Sequence, residues 1–280
     1  LLVLLTARIA HGQYASYRAT SETRHWLTQA RAVQAQIEAD RAAAGAVPLK
    51  MARFMEEYSL VAGMESPHVA RVYDHGTSEE HAYLVMEFFE GGDLNKRLAG
   101  QAVPPPEALR FFRELMFALG DIHEKGILHR DLKPQNLMFR RDGSLAIVDF
   151  GIAKNIAAAD RTNAGEVLGT PRYMSPEQVQ GRALDLRTDI YSAGVLLYQM
   201  LTGQHMFDGQ TAMEVAMHHL NSHPPLLPDH LQQYQRLMDK LVEKDRDARF
   251  RNADEVIGFL SRNFEQDVAA FQADKTQKLH

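Results

Sequence analysis

The chain has 280 residues, enough for one large domain or for two lobes that share a core. Hydrophobic residues make up 45% and charged ones 24%, and 31 basic against 36 acidic side chains leave −5, too weak a field to point to nucleic acid or an anionic membrane surface. Without cysteine, a disulfide framework and a thiolate metal site are excluded, which fits a reducing cytoplasm, and no stretch approaches the ~18 apolar residues of a membrane span.

The opening Leu1-Leu2-Val3-Leu4-Leu5 is too short for a signal-peptide core and lacks a basic leader and a cleavage site. A start without Met is consistent with a fragment of a larger protein. Short apolar runs at 2–9, 14–19 and 25–30 read as three antiparallel strands. Residues 31–46, alanine-rich with Val33 and Ile37 four apart, favour a helix, and Phe54, Tyr58 and Val61 keep helical spacing until Gly63. Residues 69–73 and 82–86 read as a two-stranded hairpin, followed by Glu90-Gly91-Gly92-Asp93 as a flexible connector.

The pattern then turns helical. Pro104-Pro105-Pro106 marks a start, Leu109, Phe112, Leu115, Met116, Leu119 and Ile122 line one face, and Gly126 stands where a left-handed cap is expected. Residues 190–201 are apolar on nearly every side, as in a buried central helix closed by Gly203. Amphipathic helices follow near 211–220, 231–243 and 253–264, and the polar tail after Gln266 is expected to leave the domain. His218, His219 and His223 match no metal-ligand spacing.

Residues 129–136 read His-Arg-Asp-Leu-Lys-Pro-Gln-Asn, and further on stands Asp149-Phe150-Gly151. The first segment supplies a carboxylate base, a lysine and an amide, and the second a further carboxylate on a tight glycine turn. These are the parts needed to move a γ-phosphoryl group from Mg-ATP to a hydroxyl. The alternative for Asp131, Asn136 and Asp149 is surface-turn carboxylates and an Asx cap.

With both motifs in this order, nearly the whole chain resembles the eukaryotic-like, bacterial-type Ser/Thr protein kinases. The resemblance implies an α+β, two-lobed fold. A small β-rich N-lobe would take residues 1–89, a larger helical C-lobe 90–265, and a polar tail or linker 266–280. It implies ATP between the lobes, Mg²⁺-dependent transfer to Ser or Thr hydroxyls of protein substrates in signalling, a cytoplasmic setting, and pairing of two copies for autophosphorylation.

By the same resemblance Asp131 is the catalytic base, Lys133 neutralises charge on the transferred phosphoryl group, and Asn136 and Asp149 are the metal ligands. Met86 is the residue guarding the adenine pocket, Glu87 and Phe89 offer backbone to the adenine edge, Asp93 reaches the ribose, and Met138 forms the floor. His129 is a buried ring that positions the loop, Glu177 pairs with Arg249, and Asp189 holds the catalytic-loop backbone. Thr170 is expected to hydrogen-bond Asp131 and Lys133. Arg130 before the base asks for an anionic partner, and Thr162, the only Ser or Thr between Gly151 and Gly169, is the candidate phosphosite. The plainer alternative is an ordinary hydroxyl at Thr162 and an Arg130 that packs.

The N-terminal part departs from the family. The glycine loop is degenerate: Ala10-His11-Gly12-Gln13-Tyr14-Ala15 keeps Gly12 and puts Ala10 where another glycine is usual. Trp26-Leu27-Thr28-Gln29 places Gln29 at the position of the ATP-gripping lysine, with Arg31 on the same strand face and Glu57 as the helix partner. Lys50 falls after the expected strand. Two rivals remain: a pseudokinase acting as a nucleotide-regulated binding or scaffold module, and a transferase that binds ATP differently and moves another group.

Overall fold

A computed structural model describes residues 2–7, 64–77, 82–149 and 171–277. The chain divides into two compact units, Leu1–Glu90 with Ile152–Arg161 and Gly91–Gly151 with Thr162–His280. The strands expected at 14–19 and 25–30 and the helices expected over 31–46 and 54–61 lie outside the described residues.

In the first unit β1 (Leu2–Ala7), β2 (Val72–Thr77) and β3 (Ala82–Glu87) form a three-stranded sheet in the order β1-β3-β2. β2 and β3 are antiparallel, as a hairpin requires. β1 runs parallel to β3, with Leu2 opposite Ala82 and Ala7 opposite Glu87, and the strands expected antiparallel to it at 14–19 and 25–30 lie outside the described residues. Alternating hydrophobicity sets which face a strand buries; it does not set its direction. The strand expected from Val69 also begins later. Val69 and Ala70 are buried ahead of the ladder, and the register slips between Val72 and Asp74.

The second unit is built on two helices. In α2 (Pro105–Glu124), which follows the short α1 (Leu94–Leu98), Leu109, Phe112, Leu115, Met116, Leu119 and Ile122 are all fully buried. Burying each such side chain contributes roughly 1.5–3 kcal/mol. Gly126, just past its end, takes φ 73°, a conformation with no Cβ penalty only for glycine. α4 (Arg187–Thr202), which follows the one-turn α3 (Pro176–Val179), is buried from Thr188 to Leu201 and capped by Gly203 at φ 71°. α5 (Ala212–Asn221) is joined to α4 by the Tyr191–His219 hydrogen bond, α6 (Gln235–Leu241) packs on α4, and α7 (Ala253–Gln277) packs on α2. A Cβ on Gly194 would lie 2.7 Å from Leu241 Cβ, so this glycine sets how closely α6 approaches α4.

Two expectations change here. Part of the 231–243 helix is a 3-10 turn, Asp229–Tyr234, ahead of α6. The polar tail is also helical: α7 kinks at Phe264 and runs to Gln277, and Asp267 accepts a hydrogen bond from the Tyr234 hydroxyl at 3.0 Å. No helix among the described residues is long and apolar enough to cross a membrane.

Candidate active site

The segment 129–136 lies in the second unit as a loop ending in a short 3-10 turn, Pro134–Asn136, and its backbone is fixed from behind by α4. The Asp189 carboxylate accepts from the backbone N–H of His129 at 2.9 Å and of Arg130 at 2.8 Å, and pairs with His123 Nε2 at 2.8 Å. Burial alone would raise the Asp189 pKa; the His123 hydrogen bond and charge and the Arg130 N–H hold it below the ordinary carboxylate range. His129 is fully buried, and that burial pushes its ring pKa down. Its Nε2 therefore donates to the Val148 carbonyl at 3.1 Å, leaving Nδ1 to accept from the Asp131 N–H at 3.3 Å. A neutral ring thus links the loop to the segment before Asp149.

Asp131 follows Arg130, which sits at φ 63°, a left-handed conformation rare for a side chain of this size. Lys133 Nζ lies 2.8 Å from Asp131 Oδ2, and Asn136 Nδ2 donates to the Asp131 carbonyl at 2.9 Å. β4 (Leu137–Phe139) pairs antiparallel with β5 (Leu145–Ile147), and Val148 N–H donates to the Asn136 carbonyl at 2.9 Å. Strand pairing thereby brings Asn136 beside the residue preceding Asp149, which itself takes φ 57°. Both hard-oxygen candidates therefore approach one region. Asn136 has its nitrogen committed to Asp131, which leaves Oδ1 as the atom a cation would meet.

Gly91 and Gly92, expected as a flexible connector, are hydrogen-bonded within the second unit. Gly91 N–H donates to the Phe139 carbonyl at 2.9 Å and Phe139 N–H to the Gly92 carbonyl at 2.8 Å, so 91–93 lies against β4 and Asp93 comes opposite Met138. A Cβ on Gly91 would sit 2.7 Å from Phe139 Cβ, so close approach explains the glycine. Asp93 also caps α1, accepting from Lys96 N–H at 2.9 Å.

Behind the loop, α3 opens with a capping box on Ser175 and Gln178. Glu177 meets Arg249 in a two-pronged pair at 2.7 and 2.9 Å and accepts from the Thr188 hydroxyl at 2.8 Å. The guanidinium also donates to the carbonyls of Glu243, Arg187 and Lys244. Burial alone would raise the Glu177 pKa, and Arg249 holds it down. The Tyr173 hydroxyl donates to Gln199 and is pushed up to about 12 by burial, and Ser192 Oγ donates to the Tyr173 carbonyl.

In the first unit, Met86, Glu87 and Phe89 are buried at the end of β3 and just after it, and Glu87 N–H donates to the Arg71 carbonyl at 2.8 Å. Ala10, Gly12, Gln29, Arg31, Lys50, Glu57, Thr162 and Thr170 lie outside the described residues. Two residues escaped the sequence reading. Gln178 donates to the Arg130 carbonyl, and its Ser-x-x-Gln spacing was a legible capping signal. His123 reaches Asp189 from the end of α2, and no spacing rule announces it.

A model of the protein kinase domain matches residues 22–258. Serine/threonine-protein kinase pkn2 of Myxococcus xanthus is 40% identical over 221 residues, 75% of this chain and 27% of that protein. PknL of Mycobacterium tuberculosis is 39% identical over 176 residues, 62% and 44% respectively, and PrkC of Bacillus subtilis 31% over 220, 77% and 34%. The chain thus spans less than half the length of these relatives. With a His-Arg-Asp loop pinned by a buried aspartate and a Glu–Arg pair behind it, this chain belongs to the protein kinase family.

Proposed function

We propose that the chain is the catalytic part of a serine/threonine protein kinase, transferring the ATP γ-phosphoryl group to Ser or Thr hydroxyls of protein substrates in the cytoplasm. The observation that carries the reading is the Asp131 carboxylate, 2.8 Å from Lys133 on a loop held by Asp189. Asp131 accepts or orients the proton of the acceptor hydroxyl as its oxygen attacks, and Lys133 balances negative charge on the departing phosphoryl oxygens. Asn136 Oδ1 and the Asp149 carboxylate are the hard donors for Mg²⁺, which when bound neutralises the β- and γ-phosphate charge.

For the nucleotide, Met86 borders the adenine, and Glu87, its N–H spent on Arg71, offers its carbonyl to the adenine edge next to the Phe89 backbone. Asp93 serves the ribose and Met138 the floor under the base; Ala10 and Gly12 belong to the phosphate loop. Gln29 or Arg31 takes the place of the lysine, with Glu57 the helix carboxylate that the family pairs with it. Arg130 Nε is buried with no hydrogen-bond partner among the described residues, which suits a phosphate on Thr162 ordering the loop through 1–3 charge-assisted hydrogen bonds. Autophosphorylation between two copies is the matching route to that phosphate.

The second reading, a pseudokinase scaffold, is favoured by Gln29 and the lone Gly12. Incubating the purified chain with Mg-ATP and following phosphate incorporation by intact mass separates the two. Phosphate on the wild type and none on Asp131→Asn is the expected result. No incorporation, with nucleotide still raising the unfolding temperature, overturns the kinase reading in favour of the scaffold. Peptide mapping should place phosphate on Thr162; phosphate confined to residues outside 152–169, with Thr162→Ala fully active, removes the switch.

A further inference from the structure

We propose that Gln178 is a positioning residue for phosphoryl transfer, holding the Arg130–Asp131 peptide so that the Asp131 carboxylate faces the acceptor hydroxyl. The inference rests on Asp131 being the base.

Arg130 occupies the left-handed region at φ 63°, which a bulky L residue leaves unless its flanking peptides are tied. Its N–H is tied by Asp189 Oδ1 at 2.8 Å, and its carbonyl by Gln178 Nε2 at 2.8 Å. That carbonyl belongs to the peptide whose nitrogen is Asp131's, so a rotation there swings the catalytic carboxylate directly. The other groups of the loop are held from elsewhere. The N–H of the same peptide is shared between the His129 carbonyl at 2.9 Å and His129 Nδ1 at 3.3 Å, and the Asp131 carbonyl accepts from Asn136. Gln178 is thus the described side chain that connects this peptide to α3.

The direction of the amide follows from its partners. Ser175 N–H, 2.9 Å away, can only donate, so Oε1 must face it, and the Nε2 donor is left for the Arg130 carbonyl. One side chain therefore closes the helix cap and fixes the base. Because Glu177 next to it is locked to Arg249, the base is mechanically joined to the anchor that follows the Asp149–Thr170 segment.

The two roles of Gln178 can be separated in the 280-residue chain. Gln178→Glu keeps an oxygen for Ser175 N–H but loses the N–H donor and sets a carboxylate oxygen against the Arg130 carbonyl. Gln178→Ala loses both contacts. Positioning predicts that kcat falls at least ~5-fold in both variants, as expected for a lost hydrogen bond and a stranded carbonyl, with KM for ATP and acceptor within about twofold. It also predicts faster amide hydrogen exchange over residues 129–136 in Gln178→Glu, read irrespective of turnover. A Gln178→Glu protein that turns over and exchanges like the wild type, with only Gln178→Ala impaired, confines Gln178 to the helix cap and overturns the proposal. If the wild type transfers no phosphate, the kinase reading fails separately. The exchange rates of 129–136 then decide by themselves whether Gln178 holds the loop.

Discussion

Asp131 and Asp189 are two carboxylates of one unit, working under opposite conditions. Asp189 is fully buried among two backbone N–H groups and the His123 ring, which keep its proton off and its position fixed. Asp131 keeps 13% of its side chain exposed, stands beside Lys133, and follows a residue in a strained backbone conformation. The same division separates Glu177, buried in the Arg249 fork, from Asp149 at its left-handed turn. The anchoring layer is buried and paired, whereas the reactive layer stays partly accessible and borrows its geometry from the layer behind.

The contrast breaks most directly at Asp131. Asp131→Asn keeps the shape and removes the base, so transfer should fall by about 100- to 10,000-fold while stability stays within ~0.5 kcal/mol. Initial-rate assays and urea unfolding on the same preparation check both halves; a large loss of stability would place Asp131 among the anchors. Arg249→Ala should do the reverse. It strands Glu177 as an unpaired buried charge, at a cost of roughly 3–5 kcal/mol measured by the shift in urea midpoint. The double variant Arg249→Met with Glu177→Met should recover part of that loss, because no buried charge remains.

A purely steric anchor gives a smaller effect. Gly194→Ala would press a methyl against Leu241 Cβ and Val242 Cγ1 at 2.7 and 2.8 Å, so ~1–3 kcal/mol of destabilisation is expected from forced repacking of α6 on α4. An unchanged midpoint would mean that the two helices separate easily.

The last test uses pH. His219 is fully buried, with the Tyr191 hydroxyl on Nδ1, the Arg172 carbonyl on Nε2, and Lys244 and His218 nearby; burial lowers its pKa from 6.5 to about 3. The folded ring stays neutral while the unfolded one takes up a proton, so this contribution is complete above pH 6.5 and is lost as pH falls toward about 3. His129, also lowered by burial, acts in the same sense. In His219→Gln the acid limb of the stability curve should flatten by up to about 1.4 kcal/mol per pH unit. An unaltered slope would mean that His219 titrates normally.

Much of this was legible from residue order. The α2 stripe, the buried α4, the left-handed glycines 126 and 203, and the loop 129–136 all express local rules: helical period, capping, and consecutive residues that carry their chemistry within one turn. The parallel pairing of β1 with β3, on which the sequence pattern is silent, the late start of β2 and the helical tail were decided by pairing partners and packing. The connector illustrates the limit. Gly91-Gly92 reads as flexibility in sequence, and close approach to Phe139 makes it a tie.

Sequence alone determined which groups are available: Asp131, Lys133, Asn136 and Asp149 sit at spacings that backbone geometry keeps near one another, and each has the charge or donor its role needs. Tertiary structure decided what holds them. Asp189 is 60 residues from His129, Arg249 is 72 from Glu177, and Gln178 is 48 from Arg130. Separations of that length carry no local conformational preference. They close only when burial of α2 and α4 offsets the entropy of bringing distant segments together.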